Sequence, residues 1–394
     1  MSAHDAGRER LGFAARVSAL FAAFFFVAGT NLAYLPVWLD WAGLGLREIA
    51  IVTAAPLFVR VVATPVIAFA ADRAGDHRRF LIGLSWAVLA ALLALSQSRG
   101  FWAILTCLLI FAIAWTTIMP LTETVAVGGV KAAGLDYGRM RLWGSLSFIA
   151  ASFCGGWAVE RLGPGSIVWL IVIGAALTTA AAYALQRPLG LGRLEAATTP
   201  PRLDLASALS LLGSRTFLLL LAAGGAVQAA HAVLYTFGTL HWRSLGLSAE
   251  WCGMLWAISV IAEIGLFAFS GAVVARLGAP QLIGLGAAAA ILRWTAMGFD
   301  PPLALLVPLQ ILHGLTFGAA HLGAIHVMAR SVPEEQAGTA QALYASVVGG
   351  LGMGAAMLLA GPLYADFGGR AYWAMAALGA VGLIASLALM RRAQ

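Results

Sequence analysis

The chain has 394 residues, of which 61% are apolar and only 10% charged, with a net charge of +7 and a mean hydropathy of +0.89. A water-soluble domain of this size cannot cover its surface with so few charges, so the ordinary soluble classes are excluded. The positive charges sit in short stretches between apolar runs and do not form a patch, which excludes nucleic acid as a partner and points to a lipid bilayer.

Apolar runs of about 20 residues, each able to cross a ~30 Å hydrocarbon core, recur along the whole length. Twelve spans are predicted in chain order: 15–38, 48–70, 80–98, 101–126, 138–161, 166–186, 216–240, 250–274, 280–298, 303–329, 337–363 and 370–390. The first follows Arg8, Arg10 and Arg16 and is too long for a cleaved leader, so it reads as an anchor that stays. One alternate set of loops holds only Arg47, Arg99, Arg161, Arg243 and Arg370, whereas the other holds most of the remaining arginines and Lys131. Positive charge stays on the cytoplasmic side, so both termini are predicted to be cytoplasmic.

The polar stretch 187–214 contains Gly190, Gly192, Pro200 and Pro201. It reads as a cytoplasmic linker between a six-span half, 1–186, and a second one, 215–394. The halves resemble each other at a constant offset. Asp72-Arg-Ala-Gly75 matches Ala275-Arg-Leu-Gly278, and the same offset sets Arg60 against Glu263, each near the middle of its span. Two parallel six-span repeats resemble the major facilitator architecture, an all-α membrane fold with twelve transmembrane helices and a site near the midplane.

The most informative stretch is Asp136-Tyr-Gly-Arg-Met-Arg-Leu-Trp-Gly-Ser-Leu-Ser-Phe148, taken with Glu123 near the end of the preceding span. A short hairpin is predicted to bring Glu123 and Arg141 to similar depth. A charge inside a span costs about 2.5–3.5 kcal/mol on insertion scales, so such groups face the protein interior. The pair is either a structural ion pair or a ligand site. In the second half the candidates are Glu263, Arg293, His313, His321 and His326, with His326 read mainly as a packing residue. Arginine keeps its charge at any relevant pH, whereas histidine and a buried glutamate can exchange protons. Asn31 and Tyr34 in span 1 are further substrate-binding candidates, and Gln228 and His231 in span 7 with Tyr344 in span 11 are cavity candidates. Arg60 is a further cavity candidate.

The turn Ala71-Asp-Arg-Ala-Gly-Asp-His-Arg-Arg79 reads as a conformational latch built on Asp72, Arg73, Gly75 and Arg79, with Asp72 near a helix N-terminus or an arginine. Cys107, Cys154 and Cys252 lack metal or redox spacing. No nucleotide, zinc, haem or serine-hydrolase motif occurs, so neither a cofactor, a metal nor an enzymatic activity is expected.

Tyr137-Gly-Arg-Met-Arg-Leu-Trp-Gly-Ser145 resembles the helix 5 signature of the 3-phenylpropionic acid transporter family, related to the lactose permease proton symporters. The likeness covers nearly the whole chain and includes Tyr34-Leu-Pro-Val-Trp38, the Asp72 turn and Leu312-His-Gly-Leu-Thr-Phe317. It implies that Glu123 and Arg141 bind substrate, with Phe148 in place of a stacking tryptophan, and that Arg293 and His313 belong to a proton-coupling cluster. Two positions depart from the pattern. A coupling glutamate expected three residues after His313 is Thr316, and the helix 8 acid falls near Val260, so Glu263 or Glu123 becomes the expected proton carrier. The resemblance implies a monomeric secondary transporter of the bacterial inner membrane that carries a small organic acid with protons. A sugar or nucleoside symporter is the alternative, and a transporter-like sensor or a polytopic membrane enzyme is the alternative of another class.

Overall fold

The computed structural model describes residues 3–185 and 205–393. The described residues are helical, with no strand among them. With no water in the hydrocarbon core, a spanning segment must satisfy its backbone N–H and C=O groups internally, and an α-helix does so within itself.

The first six long helices are α1 (Ala3–Trp41), α2 (Leu46–Ala74), α3 (His77–Gln97), α4 (Phe101–Ala133), α5 (Tyr137–Leu162) and α6 (Ile167–Ala184). A short α7 (Leu205–Gly213) follows, then α8 (Arg215–Ala229), α9 (Ala232–Ser244), α10 (Ala249–Ala268), α11 (Ser270–Leu277) and α12 (Ala279–Met297). The chain ends with α13 (Leu303–Ile311), α14 (Ala320–Ser331), α15 (Ala337–Tyr344), α16 (Met353–Phe367) and α17 (Tyr372–Ala393). Two π-helical stretches, Gly314–Ala319 and Ala345–Gly352, join α13 to α14 and α15 to α16.

Ten of the described helical stretches are long and apolar enough to cross a membrane, and the bent pair α11–α12, turned by 99°, makes eleven. The stretch Glu334–Arg392 runs for 59 residues. At 1.5 Å per residue that is about 88 Å, far more than one crossing requires. Gly368, with φ +56, interrupts it, and reading it as two passes brings the count to the expected twelve. Two expectations change in detail. α4 continues to Ala133, so its turn into α5 is only Gly134 to Asp136, with Gly134 in the left-handed conformation that caps a helix. Of the expected linker 187–214, residues 187–204 lie outside the described residues. Residues 205–213 form α7, whose Leu211 is buried in a core with Phe217, Val327, Tyr344 and Leu389.

The chain forms two compact units, one of Met1–Leu44, Val59–Pro200 and Ser248–Gly253, the other of Gly45–Phe58, Pro201–Leu247 and Met254–Gln394. In the first, α1 lies against α5 and α6 at small residues. A Cβ on Gly29 would stand 3.0 Å from the Phe148 carbonyl oxygen, and one on Gly174 would stand 2.7 Å from Val27. Membrane helices gain little from the hydrophobic effect against lipid, so backbones this close are what dispersion requires. In the second, Gly354 and Gly361 give the same close fit to Phe58 and Ala50.

In the turn between α2 and α3, Asp72 pairs at 2.8 Å with Nε2 of His77, the first residue of α3, and so sits at a helix N-terminus, one of the two places expected for it. Gly75 turns at φ +65. Asp76 caps α3 through the Arg79 N–H at 3.1 Å, and its carboxylate meets Arg79 Nε at 3.4 Å. Arg73 is exposed at the end of α2. Arg78, outside the expected set, binds the Tyr183 carbonyl at 2.9 Å and that of Leu185, and so ties α3 to the end of α6.

Gly29→Val places branched carbons against the Phe148 backbone, which cannot yield as a side chain can. Thermal melts should show a loss of about 1–3 kcal/mol, the usual penalty of overpacking. Gly83→Ala, where a Cβ meets nothing within 4 Å, should be neutral or slightly stabilising.

Candidate functional site

In the first unit the site is built at the start of α5. Asp136 accepts a hydrogen bond from the Arg139 N–H at 3.1 Å and caps the helix. Tyr137 and Arg141, one turn apart, then share a face. The Tyr137 hydroxyl donates to Glu123 Oε1 at 3.2 Å and also interacts with Arg141. The expected acid and arginine are therefore gathered by a phenol in the motif that the sequence reading had passed over.

Aromatic rings surround this group. Arg141 Cζ lies 4.0 Å from the centre of the Phe25 ring and 5.8 Å from that of Phe21. Phe21 meets Tyr137 edge-on at 6.3 Å. Cation–π contacts at a half-buried site contribute about 1 kcal/mol, which favours this position of the guanidinium. Beside them Phe24 stacks on Trp115 at 4.0 Å, and Trp115 on Phe111 at 5.4 Å. Phe21 and Phe25 are one turn apart on α1. Only that spacing, within an otherwise apolar run, could have marked them.

The other first-unit candidates separate. Asn31 is half-buried, and its Oδ1 is shielded from solvent with no hydrogen-bond partner among the described residues. Phe148 is half-buried, with its backbone under Gly29. Arg60 is half-buried on α2. Tyr34 is fully buried, and its hydroxyl meets the carbonyls of Ser152 at 2.9 Å and Ala249 at 3.1 Å, which ties segments of the first unit together. Trp143, the other aromatic of the motif, shares an exposed stripe with Leu146, Phe153 and Trp157, the face a spanning helix turns to lipid.

In the second unit the polar candidates converge. Arg293 on α12 is completely buried. Its Nη2 donates to Gln310 Oε1 at 2.6 Å, and its Nη1 to Thr316 Oγ1 at 3.0 Å and His313 Nδ1 at 3.2 Å. Its Cζ sits 4.4 Å from the centre of the Trp294 ring. Ser259 Oγ meets Gln310 Oε1 at 3.1 Å, and His231 Nε2 meets Thr316 Oγ1 at 3.0 Å. Glu263 Oε2 lies 3.9 Å from His313 Nε2.

Donor and acceptor roles follow from this geometry. Arginine only donates, so His313 Nδ1 must offer a lone pair, and the imidazole is neutral with its proton on the Nε2 that faces Glu263. His231 Nδ1 faces the Val227 and Gln228 carbonyls at 3.1 and 3.2 Å. Carbonyls only accept, so this nitrogen carries the proton and Nε2 is free to accept from Thr316. Thr316, where the resemblance implied a glutamate, thus relays one hydrogen bond between Arg293 and His231. Adding a second proton to His313 requires it to leave Arg293.

Helix breaks place these groups. α8 and α9 are interrupted at 230–231, where His231 sits. Pro308 lies inside α13, and the π-helix Gly314–Ala319 begins directly after His313. Insertions of this type recur at functional sites because they re-aim side chains. His313 stacks on Phe317 at 5.3 Å, and Phe317 on His321 at 6.0 Å, so the two histidines share one face through a ring between them. His326 meets its own helix's Leu322 carbonyl at 2.9 Å, the packing role expected. Gln228 and Tyr344 are buried, and the Tyr344 hydroxyl has no hydrogen-bond partner among the described residues. Gln310 and Ser259 were missed, although each is a polar residue in an apolar span.

A polytopic all-helical chain with ionisable groups gathered at mid-span has the fold of the major facilitator transporters. The chain belongs to the MFS_1 like family, whose model matches residues 15–375, and it is a multi-pass membrane transporter of that type. It is 30% identical to a probable 3-phenylpropionic acid transporter of Escherichia coli (strain K12), over 90% of this chain and 92% of that one. It is 31% identical to a maltose permease of Geobacillus stearothermophilus, over 93% and 92%. Among solved structures, the nucleoside transporter NupG superposes with a TM-score of 0.83 at 18% identity, covering 96% of this chain and 99% of that one, a likeness of fold.

Thr316→Val leaves the Arg293 Nη1 and His231 Nε2 contacts without their shared partner. A buried polar group so stranded costs about 1–3 kcal/mol. The melting temperature should fall accordingly, and Thr316→Ser, which keeps the hydroxyl, should restore it.

Proposed function

We propose that the protein is a proton-coupled symporter of a small organic acid, with an aromatic acid such as 3-phenylpropionate as the best-supported substrate. The observation that carries the reading is the Glu123–Tyr137–Arg141 group within the Phe21 and Phe25 rings. A guanidinium is the natural partner of a carboxylate, and the rings suit an aromatic body. The E. coli relative carries the same substrate in its name. The protein works by alternating access between two six-span halves, 1–186 and 215–394, as a monomer in a bacterial inner membrane with both termini cytoplasmic.

In this mechanism Arg141 anchors the carboxylate and Tyr137 passes from Glu123 to the ligand. Glu123, released from its partner, takes up a proton. Glu263, facing His313, is the second carrier, and Arg293 holds His313 in its neutral form. The second reading is a sugar or nucleoside symporter, favoured by the maltose permease at 31% identity.

Proteoliposomes with an inward proton gradient should accumulate labelled 3-phenylpropionate, and those without the gradient should not. Uptake of maltose or a nucleoside, and not of the acid, replaces the first reading by the second. Glu123→Gln and Arg141→Lys should each abolish uptake while elution and helicity stay normal. Tyr137→Phe should weaken it about tenfold, the loss of one hydrogen bond to a charged group at ~1.5 kcal/mol.

A further inference from the structure

Arg293 is a cation with no exposed surface. Its hydrogen-bond partners are an amide, a hydroxyl and a neutral imidazole, and its ring partner is an indole. Among the described residues no carboxylate pairs with its guanidinium, and Glu263 reaches His313 instead. A buried charge is ordinarily paired with an opposite one, because neutral partners recover only part of its lost hydration.

Two donors beside it are unused. Arg293 Nε and Gln310 Nε2 are both shielded from solvent with no hydrogen-bond partner among the described residues, and both side chains are completely buried. They flank one bond, the 2.6 Å contact of Arg293 Nη2 with Gln310 Oε1, each attached to the carbon that bears one of its ends. The Gln310 amide cannot be turned around, because its oxygen is needed by Arg293. Its nitrogen must therefore point to an acceptor outside the network, or to none.

We infer that Arg293 Nε–H and Gln310 Nε2–H form an anion-binding site in the second unit, for a small monovalent anion such as chloride or the head of a short carboxylic acid. The site shares no residue with the Glu123–Tyr137–Arg141 group, and its test does not use the transported substrate. Two N–H donors and a fixed positive charge suit one compact acceptor. The complete burial excludes bulky anions.

The test uses the full-length protein purified in detergent, melted at constant ionic strength in sodium gluconate with increasing chloride or formate. A saturable rise in Tm, by a few degrees at saturation, is expected with the small anions. Response to both assigns the site to small anions in general, and response to formate alone assigns it to carboxylate heads. Identical melting in chloride, formate and gluconate overturns the inference and leaves the two donors to water. Gln310→Glu places a carboxylate against Arg293 and removes the amide donor. This variant should melt as high in gluconate as the unaltered protein does in chloride, and should lose the response. A response that persists unchanged in Gln310→Glu puts the anion elsewhere and overturns the assignment.

Discussion

The second unit is organised by the need to hold the Arg293 guanidinium away from water. Stranding one of its buried donors costs about 1–3 kcal/mol, a large share of what a single contact contributes. Gln310, Thr316 and His313 come from one stretch across the α13–α14 junction, so this junction cannot move independently of α12 while the bonds last. The network is also directional. The proton positions along Arg293, Thr316 and His231 follow from arginine's inability to accept and the inability of the Val227 and Gln228 carbonyls to donate, and a protonation change at His313 must be felt at Arg293.

The first unit solves a different problem with different chemistry. Arg141 is only half-buried, and ring faces and a phenol stand against it. α1 supplies both rings. It can do so because its glycine contacts with α5 and α6 bring it close, so the packing that holds the unit together also shapes the site.

In both units, polar side chains depend on irregular backbone. At membrane depth a break in a helix survives only where protein replaces the missing partners. The breaks at 230–231 and after His313 lie inside the Arg293 network, and the short turn at Gly134 sets Tyr137 beside Glu123.

Hydropathy alone determined the class, the spans and most of their ends, because crossing a bilayer imposes a minimum length of apolar helix on any sequence. The cost of a charge in that setting also marked Glu123, Arg141, Glu263, Arg293 and His313 as groups of interest. Which residues meet was decided by tertiary structure. Tyr137, Gln310 and Ser259 carried no assigned role along the chain, and the two carbonyls that meet the Tyr34 hydroxyl come from distant segments. Thr316 stood out only as a departure from a pattern, until its position between Arg293 and His231 became visible. The physical reason is that hydropathy depends on each residue separately, whereas a hydrogen bond depends on the relative position of two groups. That position is set by helix breaks and glycine contacts that only the packed chain defines.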